Sequence, residues 1–226
     1  TRARAFSIFY GIVNVGSFSG KSLAYPLRVE LGLEYINYFA AAMTLIALGV
    51  AFLFFRNVDI HGEGKTVRDA WNGLVRIVTN VRLLLLIVIV AGFWIIQQQM
   101  YATMPKYVLR TVGNHASPEW IANVNPFVVM TCVVLITSLM KKVRAITSMT
   151  VGMILMPFSA LCMASSPLLQ STLGTSVSIL GLFTAHPITV MLIAGIVIQG
   201  FAECFISPRY LEFFSLQAPK GEEGAY

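Results

Sequence analysis

The stretch from Pro187 to Lys220 opens with an apolar run long enough to cross a bilayer, and this run contains one carboxylate, Glu203. About 20 apolar residues span the hydrocarbon core, and an acid inside it costs roughly 2.5–3.5 kcal/mol on insertion scales. A chain that keeps such an acid turns it toward a cavity or a partner. We therefore expect the rest of the chain to form the wall around Glu203, and this span to end at Arg209, just after Pro208.

The composition is that of an integral membrane protein. Of the 226 residues, 57% are hydrophobic and 12% are charged, whereas a soluble domain is about 45–50% apolar and about 25% charged. The net charge of +6 does not indicate a nucleic-acid partner, because the cations lie between the apolar spans, where they orient a chain in the membrane. The three cysteines all fall inside apolar spans, so we expect neither a disulfide framework nor a metal site.

The motifs of common enzyme sites are missing from the sequence. It contains no Ser/His/Asp or HExxH arrangement, and no Gly-rich loop of the kind that cradles a phosphate. We therefore expect that the protein is not an enzyme and that it carries no cofactor.

Six apolar segments predict an all-α, polytopic bundle of about six transmembrane helices. They are residues 6–27, 35–55, 83–109, 119–140, 145–165 and the last span from residue 187. The spacing of Gly16 and Gly20 predicts a close helix contact in the first span. Because the chain begins and stops in mid-pattern, we expect it to be a piece of a longer protein.

The charges between the spans predict the orientation. Residues 56–82 carry five basic residues and form a cytoplasmic loop by the positive-inside rule. Their apolar residues recur at helical spacing, which predicts an amphipathic helix on the membrane surface or under the bundle. The basic residues near both ends of the chain and after the fourth span fall on the same side. We therefore expect a multi-pass protein of the cell membrane, plasma or inner.

Several polar side chains lie at membrane depth and predict a cavity. Tyr10 and Asn14 are four residues apart and share a helix face. The amides of residues 97–99 need partners, so the third span should face the interior at that depth. Pro126, beside Asn125, predicts a kink of the kind that is common where a membrane helix lines a cavity.

Four motifs follow one another along the chain. They read Phe9-Tyr10-x-x-x-Asn14-x-Gly16-Ser17, Phe93-Trp94 followed by Gln97-Gln98, Asn125-Pro126, and Glu203-x-x-x-Ser207-Pro208 with Ala218-Pro219-Lys220 beyond. In order and spacing they resemble the proton-dependent oligopeptide transporter (POT/PTR) family of the major facilitator superfamily. The first and last motifs are fairly specific when they occur together, and the resemblance covers the whole chain.

The resemblance implies a partial major-facilitator fold that covers about helices five to ten of a twelve-helix family. Residues 1–55 would be the last two helices of the N-terminal six-helix half, and residues 83–226 the first four helices of the C-terminal half. Residues 56–82 would be the cytoplasmic linker, with its amphipathic helix, between the halves. The linker is cytoplasmic in the superfamily, which agrees with the side predicted from the charges.

The resemblance also implies proton-coupled uptake of di- and tripeptides by alternating access, with the site between the two halves near the bilayer midplane. It implies that Glu203 meets the amino terminus of the peptide and takes part in proton coupling. The implied substrate-binding residues are Tyr10, Asn14, Trp94, Gln98, Asn125, Glu203 and Ser207. The expected partners are a small peptide and the lipid bilayer, with protons as the coupling ion and the transporter acting as a monomer.

Some residues depart from the family's pattern. Members commonly carry an acid in the seventh helix beside the double glutamine, where this chain has glutamine at residues 97–99. Lys21 and Arg209 stand where uncharged residues are expected, and Lys21 either snorkels to the outer interface or is a charge in the pathway.

These departures favour an alternative, a major-facilitator carrier of another small solute such as an anion, an amine or a drug. A third possibility, a sensor or structural bundle, predicts that Glu203 is paired internally with no cavity beside it.

Overall fold

The computed structural model describes residues 2–55, 66–113, 116–179, 181 and 183–217. Of the described residues, 88% are helical, which confirms the predicted all-α fold. The α-helices of the described residues are, in chain order, α1 (Arg2–Pro26), α2 (Glu34–Phe54), α3 (Val67–Thr79), α4 (Val81–Ala102), α5 (Met104–Thr111), α6 (Pro118–Leu139), α7 (Ala145–Ala164), α8 (Ser166–Leu173) and α9 (Pro187–Gln217). A π-helical turn, Leu27–Leu31, follows α1, and a 3-10 turn, Met140–Lys142, follows α6.

Five helical segments in the described part of the chain are long and apolar enough to cross a membrane. They are Glu34–Phe54, Leu83–Thr111, Pro118–Lys142, Ala145–Leu173 and Pro187–Leu216. The first predicted span differs, because it forms the 25-residue helix α1 but its Gly, Ser, Asn and Lys residues lower its apolar content. The structure therefore has five apolar spans and one long, more polar helix where the sequence predicts about six spans.

Helix α9 lies at the centre of the bundle. It packs most extensively against α7 and also against α6, α1 and α8, while α1 and α6 pack along each other.

Contacts at the two ends of the bundle show the helix directions. At one end, Arg28 Nε donates to Glu119 Oε1 at 2.5 Å, where α1 ends and α6 begins. At the other, Arg4, Lys141 and Arg209 line one cavity, where α1 begins and α6 and α9 end. Helix α1 therefore runs antiparallel to α6 and α9.

Small residues allow α7 and α9 to approach closely. A Cβ added at Gly152 of α7 would come within 2.5 Å of the Ile206 side chain and within 2.6 Å of the Ala202 carbonyl oxygen. Across the same interface, the Ser159 hydroxyl donates to the carbonyl oxygen of Gly195 at 2.8 Å. Close backbone approach and hydroxyl-to-backbone bonds of this kind hold membrane helices together, because lipid tails are as apolar as leucine.

Helix α9 is longer than the sequence predicts. It has 31 residues, Pro187–Gln217, and runs through Pro208, so the predicted end at Arg209 is wrong. Proline removes one backbone hydrogen bond and usually kinks or ends a helix. Packing offsets that loss here, because Pro208 is fully buried. In addition, the Ser148 hydroxyl of α7 donates to the Phe205 carbonyl oxygen at 2.9 Å, one turn before the proline.

The remaining elements lie outside this central bundle. No residue of α2 is buried. Helix α3 lies in the predicted linker, whose residues 56–65 are outside the described part, and it leaves the apolar side chains of Trp71 and Leu74 exposed. Between α7 and α9, α8 is followed by a small antiparallel hairpin of β1 (Val177–Ile179) and β2 (Phe183–Ala185).

Candidate functional site

A buried carboxylate lies where four helices meet. Glu203 of α9 is only 4% exposed. Its Oε1 accepts a hydrogen bond from the Tyr10 hydroxyl of α1 at 2.5 Å. Its Oε2 accepts from Gln97 Nε2 of α4 at 2.5 Å and from Asn125 Nδ2 of α6 at 3.1 Å. All three donors are neutral, and no Lys, Arg or His of the described residues forms an ion pair with Glu203.

Two further side chains determine which way the amides point. Gln199 Nε2 of α9 donates to Gln97 Oε1 at 2.5 Å, and the Tyr101 hydroxyl of α4 donates to Asn125 Oδ1 at 3.3 Å. Each amide therefore accepts a hydrogen bond with its oxygen and donates one to Glu203 with its nitrogen. An amide that turned over would lose both bonds, so the donors around the carboxylate are held in place.

Helical spacing builds this cluster on two of the four helices. Gln199 and Glu203 are four residues apart on α9, and Gln97 and Tyr101 are four apart on α4, so each pair shares one helix face. Asn125 lies on the buried side of α6, which packs against both α1 and α9. Packing of these helices then brings the pairs together around one carboxylate.

Lys21 is turned toward the cluster. Its Nζ lies 4.1 Å from the centre of the Tyr101 ring, in a cation–π contact. The lysine side chain is half-buried and is attracted electrostatically to the Glu203 carboxylate. This geometry favours a charge in the pathway over a side chain that snorkels to the outer interface.

Two more of the predicted site residues lie close to Glu203 without bonding to it. Asn14, one helical turn after Tyr10, is buried but donates to the Tyr10 carbonyl oxygen at 2.9 Å. Ser207, one turn after Glu203, is fully buried, and its hydroxyl has no hydrogen-bond partner among the described residues. Both positions border the cluster on its own helices.

The structure places Gln98 and Trp94 away from the cluster. Gln98 is exposed, because successive helical residues point about 100° apart and its neighbour Gln97 is the one that reaches Glu203. The Trp94 ring packs edge-on against Phe93 and Tyr210, with ring centres 5.6 and 6.4 Å away. It borders an apolar cavity of about 400 Å³ rather than the carboxylate.

Sequence reasoning did not assign Gln97, Tyr101 or Gln199 to the site. Helical spacing could have identified Gln199, because it stands four residues before Glu203 and shares its helix face. Tyr101 stands in the same relation to Gln97, so it could have been identified once Gln97 was known to contact the acid. Nothing in the sequence distinguishes Gln97 from the two glutamines that follow it. The position of α4 against α9 makes that choice.

The cluster can bind a cation and can exchange a proton. An ionised carboxylate accepts hydrogen bonds only, which matches the three donors around Glu203. Within the described residues, no three His, Cys, Asp or Glu side chains stand close enough together to hold a metal ion. Gln199, which bonds to Gln97, also borders a cavity of about 470 Å³. Most of its lining is apolar, and the lining does not include Glu203 or its three donors.

Comparison with known proteins identifies the family. The model of the POT family, PTR2, matches residues 72–226, which is more than half of the chain. The matched range contains α4, α6 and α9, and so three of the four helices that meet at Glu203. No curated protein and no solved structure matches the chain. The chain therefore belongs to the POT family, whose members are in general proton-coupled peptide transporters of the membrane.

Proposed function

We propose that the protein is a secondary active transporter that couples inward proton movement to the uptake of di- and tripeptides by alternating access. In this proposal residues 1–55 are the last two helices of the N-terminal half, and residues 83–226 are the first four helices of the C-terminal half. Helix α1 then belongs to one half, and α4, α6 and α9 belong to the other. The Glu203 cluster lies between the halves, where carriers of this superfamily hold their substrate.

The observation that carries this proposal is that the buried carboxylate of Glu203 forms no ion pair within the described residues. The carboxylate is buried, and its partners are neutral donors from three other helices. A buried charge is costly unless it is paired. The amino terminus of a peptide supplies the missing positive charge, and a proton neutralises the acid when no peptide is bound.

Tyr10 is the partner that allows Glu203 to gain and lose a proton. A protonated carboxyl group must donate one hydrogen bond. The nitrogens of Gln97 and Asn125 can only donate, and both amides are held in that orientation by bonds to their oxygens. The Tyr10 hydroxyl can change from donor to acceptor by rotating its hydrogen. The proton therefore resides on Oε1, in the one hydrogen bond that joins Glu203 to α1, and its transfer alters a contact between the two halves.

The other site residues have supporting roles in this proposal. Asn14 and Ser207 border the cluster and, in this proposal, contribute to the wall of the peptide site. Trp94 packs against Tyr210 away from the acid, so this proposal gives it no direct contact with Glu203. Gln97, rather than Gln98, contacts the acid.

The membrane placement is also part of the proposal. Residues 56–82 are cytoplasmic, so the end of the bundle with Arg4, Lys141 and Arg209 faces the cytoplasm of a plasma or inner membrane. The protein acts as a monomer, and protons are its coupling ion without any further cofactor.

Lys21 favours a second candidate function. Its ammonium over Tyr101 adds a positive charge beside the carboxylate, and the third span carries amides where the family commonly has an acid. A site with one acid and one base fits the two ends of a zwitterionic peptide. It also fits a major-facilitator carrier of another small solute, an anion, amine or drug. The variant Lys21→Met distinguishes the two functions, because the solute whose binding affinity falls is the one that the site holds.

The deciding experiment measures uptake of a labelled dipeptide by the full-length protein in proteoliposomes, with and without an inward proton gradient. Uptake that rises with the gradient, and with which free amino acids do not compete, is the expected result. Folded protein that takes up no dipeptide under either condition would assign the site to another solute.

A further inference from the structure

A polar cavity lies at the end of the bundle opposite to the Arg28–Glu119 ion pair. It has a volume of about 280 Å³ and lies between the beginning of α1 and the ends of α6 and α9. Its lining side chains are those of Ala3, Arg4, Thr137, Ser138, Lys141, Arg209 and Glu212. None of these residues belongs to the Glu203 cluster, so the cavity is a separate site.

Arg209 is buried in this cavity with one of its donors free. The residue is 4% exposed. Its Nη1 donates to Glu212 Oε2 at 2.7 Å, and its Nη2 donates to the Met140 carbonyl oxygen. Its Nε has no acceptor among the described residues. A buried guanidinium N–H without an acceptor is costly, which indicates that the cavity takes an acceptor from outside the described chain.

Thr137 provides a second, independent sign of a missing ligand. It is 5% exposed, and its Oγ1 has no hydrogen-bond partner among the described residues. The neighbouring Ser138 differs, because its hydroxyl donates to the Val134 carbonyl oxygen at 2.7 Å. Thr137 Oγ1 and Arg209 Nε are therefore two unused polar groups in the lining of one cavity.

The charge of the lining determines the kind of ligand. Arg4, Lys141 and Arg209 are cations, and Glu212 is the one acid of the lining. Glu212 pairs with Arg209, and neither Arg4 nor Lys141 forms an ion pair within the described part of the chain. The lining therefore has an excess of two positive charges, which favours an anion with several acceptor oxygens.

We propose that this cavity binds a phosphate group. The donors come from three helices on different sides of the cavity, which suits a tetrahedral anion better than a planar carboxylate. Basic pockets between membrane helices at the cytoplasmic side are places where anionic lipid head groups bind. An anionic phospholipid and free phosphate share this chemistry, and the experiment separates them.

The test uses full-length protein, purified and delipidated in detergent, and native mass spectrometry with added phosphatidylglycerol, phosphatidylcholine or inorganic phosphate. The expected result is selective binding of phosphatidylglycerol over phosphatidylcholine. The double variant Arg4→Gln/Lys141→Gln should weaken it roughly 10- to 30-fold. The control Lys142→Gln/Arg144→Gln removes two nearby exposed cations that do not line the cavity, and it should bind like wild type.

Thr137→Val separates a ligand-binding role from a structural one. Removal of an unpartnered buried hydroxyl should leave thermal stability without ligand unchanged or higher, and it should weaken phosphatidylglycerol binding. Equal binding of both lipids, or equal losses in the two double variants, would overturn the proposal. A different outcome is that inorganic phosphate displaces phosphatidylglycerol when both are present at equal concentration. That result would support an anion site in the cavity and would overturn the lipid as its ligand.

Discussion

The most apolar 18-residue windows of helices α9 and α2 have the same mean hydropathy, 2.0, but different surroundings in the described structure. Half of the residues in the most apolar window of α9 are buried, whereas no residue of α2 is. Helix α9 carries a carboxylate in its middle and glycines where neighbouring helices approach. The Thr44 hydroxyl of α2 bonds only within its own helix, to the Ala40 carbonyl oxygen at 2.8 Å.

The difference shows what hydropathy reports and what it leaves out. Both helices are apolar enough for a membrane, because transfer of apolar side chains from water is favourable wherever they end up. A buried acid such as Glu203 requires donors from other helices, and a glycine such as Gly152 permits a close contact. The contacts that polar and small residues make with other helices thus distinguish a helix of the interior from one at the periphery.

The largest effect is expected from removal of the acid in α9. Glu203→Gln keeps the size of the side chain but cannot carry the proton, so proton-driven accumulation of a labelled dipeptide in proteoliposomes should fall to background. The matched control on α2, Thr44→Val, removes a hydroxyl that bonds only within its own helix and should accumulate like wild type. Size-exclusion chromatography should show both variants folded. Undiminished accumulation by Glu203→Gln would exclude this residue from proton coupling.

A smaller effect is expected from Asn125→Ala on α6. The change removes a donor to Glu203 and leaves the Tyr101 hydroxyl without its acceptor. Hydrogen bonds to charged groups contribute about 1.5–3 kcal/mol, so peptide affinity should fall roughly 10- to 100-fold. Binding measured by thermophoresis should change more than the melting temperature does. Unchanged affinity would show that Asn125 lies outside the peptide site.

The packing difference can be tested with a pair of glycines. Gly152→Ala places a methyl group against Ile206 and the Ala202 carbonyl oxygen, and overpacking of this kind costs about 1–3 kcal/mol. Gly49→Ala on α2 meets no atom within 4 Å, and stability should stay the same or rise by up to about 1 kcal/mol from helix propensity. Unfolding in detergent, followed by fluorescence, compares the two variants. Equal stabilities would mean that α7 and α9 are less closely packed than described.

The smallest effect is expected from Gln98→Ala. Helix α4 has a buried and an exposed glutamine at adjacent positions. Gln97 is buried against Glu203, and Gln98 is exposed. A change at an exposed residue is usually worth less than about 0.5 kcal/mol, so peptide affinity should stay within about twofold of wild type. Gln97→Ala should weaken binding much as Asn125→Ala does. A larger loss in Gln98→Ala than in Gln97→Ala would reverse the assignment of the two glutamines.

Sequence patterns identified much of the fold and part of the site. The apolar segments predicted the all-α bundle, and the motifs predicted the family. Tyr10, Asn125 and Glu203, named from widely separated segments, do meet through direct hydrogen bonds. These features follow from residue type and short-range spacing, which the sequence displays directly.

Long-range packing decided the features that sequence reasoning missed. Gly16 and Gly20 have the spacing of a close helix contact, but no described atom lies within 4 Å of a Cβ added at either residue, whereas Gly152 and Gly195 do have such neighbours. Spacing within one helix shows which residues share a face but not which helix lies opposite that face. The end of α9 was missed for the same reason, since the packing around Pro208 is invisible in the local sequence.

The sequence by itself determined that this chain crosses a membrane and that Glu203 must be held inside a helical bundle, and it predicted that most basic residues between the spans lie on one side. The tertiary structure alone decided that Gln97 rather than Gln98 holds the acid, that Gln199 and Tyr101 orient the amides, and that Lys21 turns toward the cluster. The physical reason is one of range. Hydropathy and helical periodicity depend on neighbours along the chain, whereas the partners of a buried charge come from helices that only packing brings together.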